Sequence, residues 1–324
     1  MDNKITKKRL SEFLHYEWIK ILALALCACL LWHVVFISLG AVGNKLTLGQ
    51  QFNIYYSSDM DGTCVTNINA EFGVGKTLSY EIQEYSTLHF DASYETTQLT
   101  AYLSAGFGDI MICSHITEDK DGNRTPSYLE CLIDYENSEY DFDTMYLDAY
   151  AYAEKFMLDK NAVEPLSKDN ISDSAVVSEF NTRLKKDKRF KTDEQKAEGV
   201  LQEKARIEKL FENVKDLKTL LTYDIFVEYV KYDSAYNISN KQTYKDDYEK
   251  ELAKGAKKYA IDFSKLPVVE GKDSITKYGV LQGETTGDGV VLLAFNSLKY
   301  QPALQFETLT VITTIIKNTT NLLG

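Results

Sequence analysis

Two kinds of apolar run alternate with polar sequence along this chain, and they ask for different surroundings. The first covers residues 21–43, from Ile21 to Gly43, and carries no formally charged side chain; Lys20 and Lys45 flank it. As a helix at ~1.5 Å per residue it would reach about 35 Å, enough to cross a hydrocarbon core of roughly 30 Å. Before it, Leu10, Phe13, Leu14 and Trp18 recur at helical spacing among basic residues, the pattern of an amphipathic helix on a membrane surface.

The later runs are short and belong to a folded domain. Residues 51–57 (QFNIYYS) read as a strand, 58–69 as a polar, glycine-containing stretch, and 77–87 as a strand in which Leu78, Tyr80 and Ile82 alternate with polar positions. Residues 93–105 read as a helix stopped by Gly106 and Gly108, and 109–114 (DIMICS) as a strand buried on both faces. Strand, helix, strand in that order predicts a βαβ unit and a parallel sheet. Helices are predicted over 144–158 and 173–190. A capping box, Thr192 with Gln195, opens a long charged helix to about residue 221, with Val200, Ile207, Leu210, Val214 and Leu217 on one stripe. A strand over 225–230, a charged helix over 242–258, an extended segment over 260–266, a second fully buried strand over 289–295 and a closing helix over 301–323 complete the reading.

Composition changes near residue 160, from aromatic and apolar to charged and helical, and changes back near 260. The expected organisation is therefore a cytoplasmic amphipathic segment (1–20), a transmembrane helix (21–43), the first part of a lobe (44–139), a helix-rich second lobe or insertion (140–255) and a return to the first lobe (256–324).

Charge sets the orientation. The whole chain is at −12, yet Lys4, Lys7, Lys8, Arg9 and Lys20 make the segment before the span positive. Positive flanks stay on the cytoplasmic side, so the N-terminus is expected inside and residues 44–324 outside the cell membrane, on a single pass. The run is longer and bulkier than the roughly 7–15-residue hydrophobic region of a cleaved signal peptide. Leu26-Cys27-Ala28-Cys29 loosely resembles a lipobox, but the chain stays apolar beyond it. His33 and Trp32, in mid-span, are candidates to face a partner helix. The acidic balance argues against nucleic acid as a partner. Of the five cysteines, Cys64, Cys113 and Cys131 follow the span; Cys64 and Cys131 could pair if the fold brought them together. No His/Cys cluster has zinc spacing, and no metal or other cofactor is expected.

Four local strings invite a chemical reading. Asp59-Met60-Asp61-Gly62-Thr63 resembles the nucleophile motif of haloacid-dehalogenase-like, magnesium-dependent phosphatases, with Asp59 as nucleophile and Asp61 as general acid. Ser57-Ser58 departs from the apolar strand end of that motif, no lysine in a suitable context and no later paired acids follow in order, and an acidic turn is the expected reading. Gly73-Val74-Gly75-Lys76-Thr77 ends like a phosphate-binding loop, but Ala70 stands where the first glycine belongs, so a β-turn is expected. Asp119-Lys120-Asp121-Gly122-Asn123 resembles a calcium loop, yet Tyr128 falls where a bidentate glutamate is required. Ser114-His115 could seed a nucleophile pair but lacks a legible third member.

A longer pattern carries more. Tyr102-Leu103-Ser104-Ala105-Gly106-Phe107-Gly108-Asp109-Ile110-Met111-Ile112 resembles the helix, Ala-Gly, Asp-Ile, strand signature of extracytoplasmic solute-binding proteins of bacterial ABC importers, and 289–297 (GVVLLAFNS) resembles their returning strand. Residues 44–115 and 255–324 carry the resemblance, which extends to membrane-anchored proteins of Gram-positive bacteria. It implies an α/β, type 2 periplasmic-binding-protein-like two-lobe fold with a helical second lobe, behind a single transmembrane helix. It implies capture or sensing of a small solute without catalysis, hinge closure, and a permease or other integral-membrane partner. Loops at the carboxyl ends of the strands would line the cleft: Ser57, Ser58 and Asp59, then Ser114 and His115, then Asn296 and Ser297. The alternative is a scaffold or partner subunit with a degenerate cleft.

Overall fold

A computed structural model of the chain describes Leu26, Ala28 and residues 50–116, 127–129, 141–183, 187–229, 256–295 and 306–323. It divides into two compact units, Met1–Thr47 and Leu48–Gly324. In the first unit only Leu26 and Ala28 are described, both helical. Among the described residues no helix is long and apolar enough to cross a membrane. Apart from Leu26 and Ala28 the predicted span 21–43 lies outside the described residues, as do residues 119–123 of the calcium-like string, Cys131 and the predicted helix 242–258 up to residue 255.

The second unit is α/β. In chain order it runs β1 (Gln51–Tyr56), α1 (Thr63–Glu71), β2 (Glu84–His89), α2 (Glu95–Ser104), β3 (Ile110–Ser114), α3 (Phe142–Ala153), α4 (Asp173–Arg183), α5 (Asp193–Leu220), β4 (Phe226–Tyr229), β5 (Lys257–Asp262), β6 (Val290–Ala294) and α6 (Phe306–Thr319), with short 3-10 turns between them. The strands form one six-stranded sheet in the order β2-β1-β3-β6-β5-β4.

The sheet is parallel over only half its width. β1 pairs in parallel with β2, Gln51 opposite Glu84, and with β3, Ile54 opposite Ile110. β6 runs antiparallel to β3, Ser114 opposite Val290 and Ile110 opposite Ala294, and β5 and β4 continue antiparallel. This corrects the expectation of a parallel sheet. The runs IMICS and VVLLA are apolar because both faces of each strand are covered. Double burial reads the same in either chain direction.

One local expectation also changes. The strand expected over 77–87 begins only at Glu84: Leu78 and Ile82 are buried in the core from a turn in which Ile82 N–H donates to Ser79 O at 3.2 Å. A turn that buries residues four apart and a strand that buries every second residue leave overlapping patterns here. The polar, glycine-containing stretch 58–69 holds most of α1, whose Cys64 and Ile68, four apart, face the core with Val65 half-buried beside them, while Thr63, Thr66, Asn67, Asn69 and Glu71 are polar. The long charged helix is as predicted, and its capping box is formed: Gln195 N–H donates to Thr192 Oγ1 at 3.2 Å and Thr192 N–H to Gln195 Oε1 at 3.0 Å.

One face of the sheet, from Phe52, Ile54 and Tyr56 through Ile112 and Leu292 to Ile261 and Phe226, shares a single core with α1, α3, α4, α5 and α6. The other face, including Tyr55, Met111, Cys113 and Leu293, packs against Leu99 and Leu103 of α2. The threonines of α6 do not interrupt it. Thr313 and Thr319, and Thr320 just beyond the helix, donate their hydroxyls to carbonyls four residues back, at 2.8–2.9 Å, so each is buried with its hydrogen bond made. Asn213 of α5 bridges Thr310 and Thr313 at 3.0 Å each and locks α5 to α6.

Candidate functional site

β1 and β3 are adjacent and parallel, so their carboxyl ends deliver Ser57–Asp59 and Ser114–His115 to the same edge of the sheet. Ser57 is buried there; its N–H continues the ladder to Ile112 O at 3.1 Å and its hydroxyl donates to the Asp59 carboxylate. Ser58 gives both its N–H, at 3.2 Å, and its hydroxyl, at 2.6 Å, to the carboxylate of Glu95. Glu95 opens α2, where an acid complements the unpaired N–H groups and positive end of the helix. Tyr128 also hydrogen-bonds Glu95; burial first, and then that carboxylate, pushes its hydroxyl up. Asp59 keeps its side chain exposed while its carbonyl accepts from Gln282 N–H at 3.0 Å. Behind this cluster the Cys113 thiol is pushed well up, by burial first and then by the Asp59 and Glu95 carboxylates. Beside it His115 N–H donates to Gly289 O at 2.7 Å, and His115 Nδ1 lies 2.8 Å from the Ser127 hydroxyl.

Five of the seven residues expected from the sequence thus meet at one edge: Ser57, Ser58, Asp59, Ser114 and His115. Asn296 and Ser297 lie outside the described residues. The strand that leads to them is antiparallel to β3, and it ends with Phe295 N–H donating to Asp109 O at 3.0 Å, at the opposite end of the sheet from Ser57 and Ser114. Glu95, Tyr128 and Ser127 were not legible as site members. An acid in the first turn of a helix is an ordinary helix-start signal, and neither Tyr128 nor Ser127 sits in a distinctive pattern.

Two of the rival strings, 59–63 and 73–77, make structural contacts. Asp61 Oδ1 accepts Thr63 N–H at 2.8 Å where α1 begins, and that bond is the first cause holding its carboxyl below the usual range. Lys76 turns its Nζ onto the final carbonyls of α1, Asn69 O at 2.9 Å and Ala70 O at 3.1 Å, within a turn closed by Lys76 N–H to Gly73 O. The β-turn reading of 73–77 therefore holds, and the lysine neutralises a helix C-terminus. Cys64 and Cys113 are free, buried thiols. Among the described residues no three His, Cys, Asp or Glu side chains converge as a metal site.

The opposite edge holds acids of another kind. Asp109, between Gly108 and β3, is fully buried with its carboxylate accepting Asn53 N–H at 2.8 Å, and burial first pushes it up to about 7. Glu307, in the first turn of α6, is likewise buried and pushed up to about 7. Gly108 is glycine for a local reason: at φ +109° a Cβ there would stand 2.8 Å from the Tyr55 ring.

No protein-family model matches the chain, and no curated protein or solved structure matches it.

Proposed function

We propose that this is a membrane-anchored extracellular protein that captures or senses a small solute at the carboxyl edge of β1 and β3. The observation that carries the proposal is the meeting there of Ser57, Ser58 and Asp59 with Ser114, His115 and Glu95. Open α/β sheets hold ligands at such an edge because the connections leaving neighbouring strands part from one another. The uncharged run 21–43 behind a basic segment supports a single-pass anchor with the N-terminus inside. A permease or other integral-membrane partner would then lie within reach of a domain held close to the bilayer.

The finer, two-lobe form of the type 2 periplasmic-binding-protein-like fold would make residues 142–220 a second lobe that closes by a hinge. Those helices share the core of the sheet, and Glu203, Arg206, Arg183 and Glu81 tie α4 and α5 to the 79–82 turn. The sheet edge is therefore the part of that family's design we carry over. Thermal melting of the full chain against sugars, amino acids, peptides and metal salts tests it: a ligand at a hundred times its Kd stabilises by about 2.7 kcal/mol. The shift should vanish in Asp59→Asn. One observation favours a second reading, a scaffold with a degenerate cleft: the serine hydroxyls and the Glu95 carboxylate are hydrogen-bonded to neighbours within the edge. No shift across the whole panel would establish that reading over ours.

A further inference from the structure

Among the described residues no charge is left to balance the buried acid of α6. Glu307 is 3% exposed, and its Oε1 accepts Ser79 N–H at 3.1 Å. Its Oε2 is buried without a hydrogen-bond partner among the described residues. Two cations face it, Arg206 of α5 and Arg183 of α4. Both are already matched. Arg206 grips Glu203 through two bonds, at 2.7 and 2.9 Å, and donates to Tyr152 Oη at 2.8 Å. Arg183 pairs with Glu81 of the 79–82 turn and lies 3.3 Å from Glu203 and 3.8 Å from Glu179. Tyr80 of the same turn donates to Glu203 at 2.8 Å. Asp109, ahead of β3, adds a second buried acid whose proton is held partly by the charge of Glu307. Two arginines thus stand against Glu203 and Glu81, and the acids Glu307 and Asp109 are in excess. A buried charge without a counter-charge is relieved by taking a proton.

We propose that Glu307 is a proton-operated latch: neutral, it lets the first turn of α6 dock under the 79–82 turn, and ionised, it loosens that docking. The sign follows from linkage. Glu307 holds its proton in the fold to about pH 7 but gives it up near 4.5 when unfolded, so the folded chain is favoured at low pH and that advantage is lost as pH rises through the folded value. A latch of this sense closes in mildly acid surroundings and eases in alkaline ones. It acts on the core and leaves the carboxyl edge of β1 and β3 unaltered, so it stands or falls independently of solute binding.

Hydrogen exchange of the full chain in detergent, expressed as protection factors to remove the intrinsic pH dependence, reads the latch directly. In the wild type, protection of α6 amides should fall at least tenfold between pH 5.5 and 8.5. In Glu307→Gln, which keeps the shape and an acceptor for Ser79, that fall should be clearly smaller, the remainder coming from Asp109. An equal fall in both proteins overturns the proposal. Should Glu307→Gln fail to fold, infrared difference spectra of Asp109→Asn, which lacks the other buried acid, decide: a protonated carboxylic acid band present at pH 5.5 and lost at 8.5 supports the latch, and no such band at pH 5.5 refutes it.

Discussion

Asp59 and Glu95 at one end of the parallel strands, and Asp109 and Glu307 towards the other, are acids placed next to the end of a strand or helix, yet they live in different worlds. At the carboxyl edge Glu95 receives an N–H and a hydroxyl from Ser58 and a phenol from Tyr128, while Asp59 reaches water. Towards the amino edge both acids are fully buried, and both are pushed up to about 7 with burial as the first cause. The difference separates two uses of a carboxylate. The exposed Asp59 can change without removing anything from the core, as a ligand edge requires, whereas Glu95 is buried with its carboxylate taken up by the donors of Ser58 and Tyr128. Acids at the amino edge are built into the packing, where each proton gained or lost is felt by the whole fold.

Three substitutions sharpen this contrast. The largest effect is expected from Arg206→Ala, which leaves Glu203 buried beside a single shared arginine; urea denaturation should lose about 3–5 kcal/mol. Retention of wild-type stability would mean that the ionic cluster contributes nothing to the docking of α5. Next comes Asp109→Asn, which keeps an acceptor for Asn53 N–H but removes the charge. Its gain over wild type should be smallest below about pH 4, where Asp109 is protonated folded and unfolded alike, and should grow as pH rises towards 7, to about 4 kcal/mol at pH 8.5. A pH-independent difference would show that Asp109 does not bind a proton on folding. The smallest is Glu95→Gln, which weakens the bonds from Ser58 and should cost about 1 kcal/mol, with the sheet intact by circular dichroism. A cost as large as that of Arg206→Ala would erase the distinction between the two edges.

The lengths of the apolar runs made most elements visible from sequence alone. β1, α2, β3, β4 and β6 lie where the runs place them, and Thr192 with Gln195 marks the start of α5 to the residue. α1 was hidden because only Cys64 and Ile68 of its nine residues are buried, too few to mark a helical face. Ser57, Ser58, Asp59, Ser114 and His115 could be read because a strand's carboxyl end follows from its position in a βαβ unit. Glu95 could not, since its contact with Ser58 joins residues 37 apart.

What the sequence by itself determined is local: the uncharged run 21–43, the strands buried on both faces, the capped helix, and the acid-rich chain beyond a basic N-terminal segment. These follow from periodicity, length and charge, which nearby residues set together. Only the tertiary structure decided direction and partnership. It turned β6 against β3, sending Phe295 to Asp109 at the far end of the sheet from Ser114. It folded the charged helices into the same core as the strands and set Glu307 among arginines already committed to other acids. Burial leaves its mark on each residue, whereas the choice of neighbour belongs to pairs far apart in the chain.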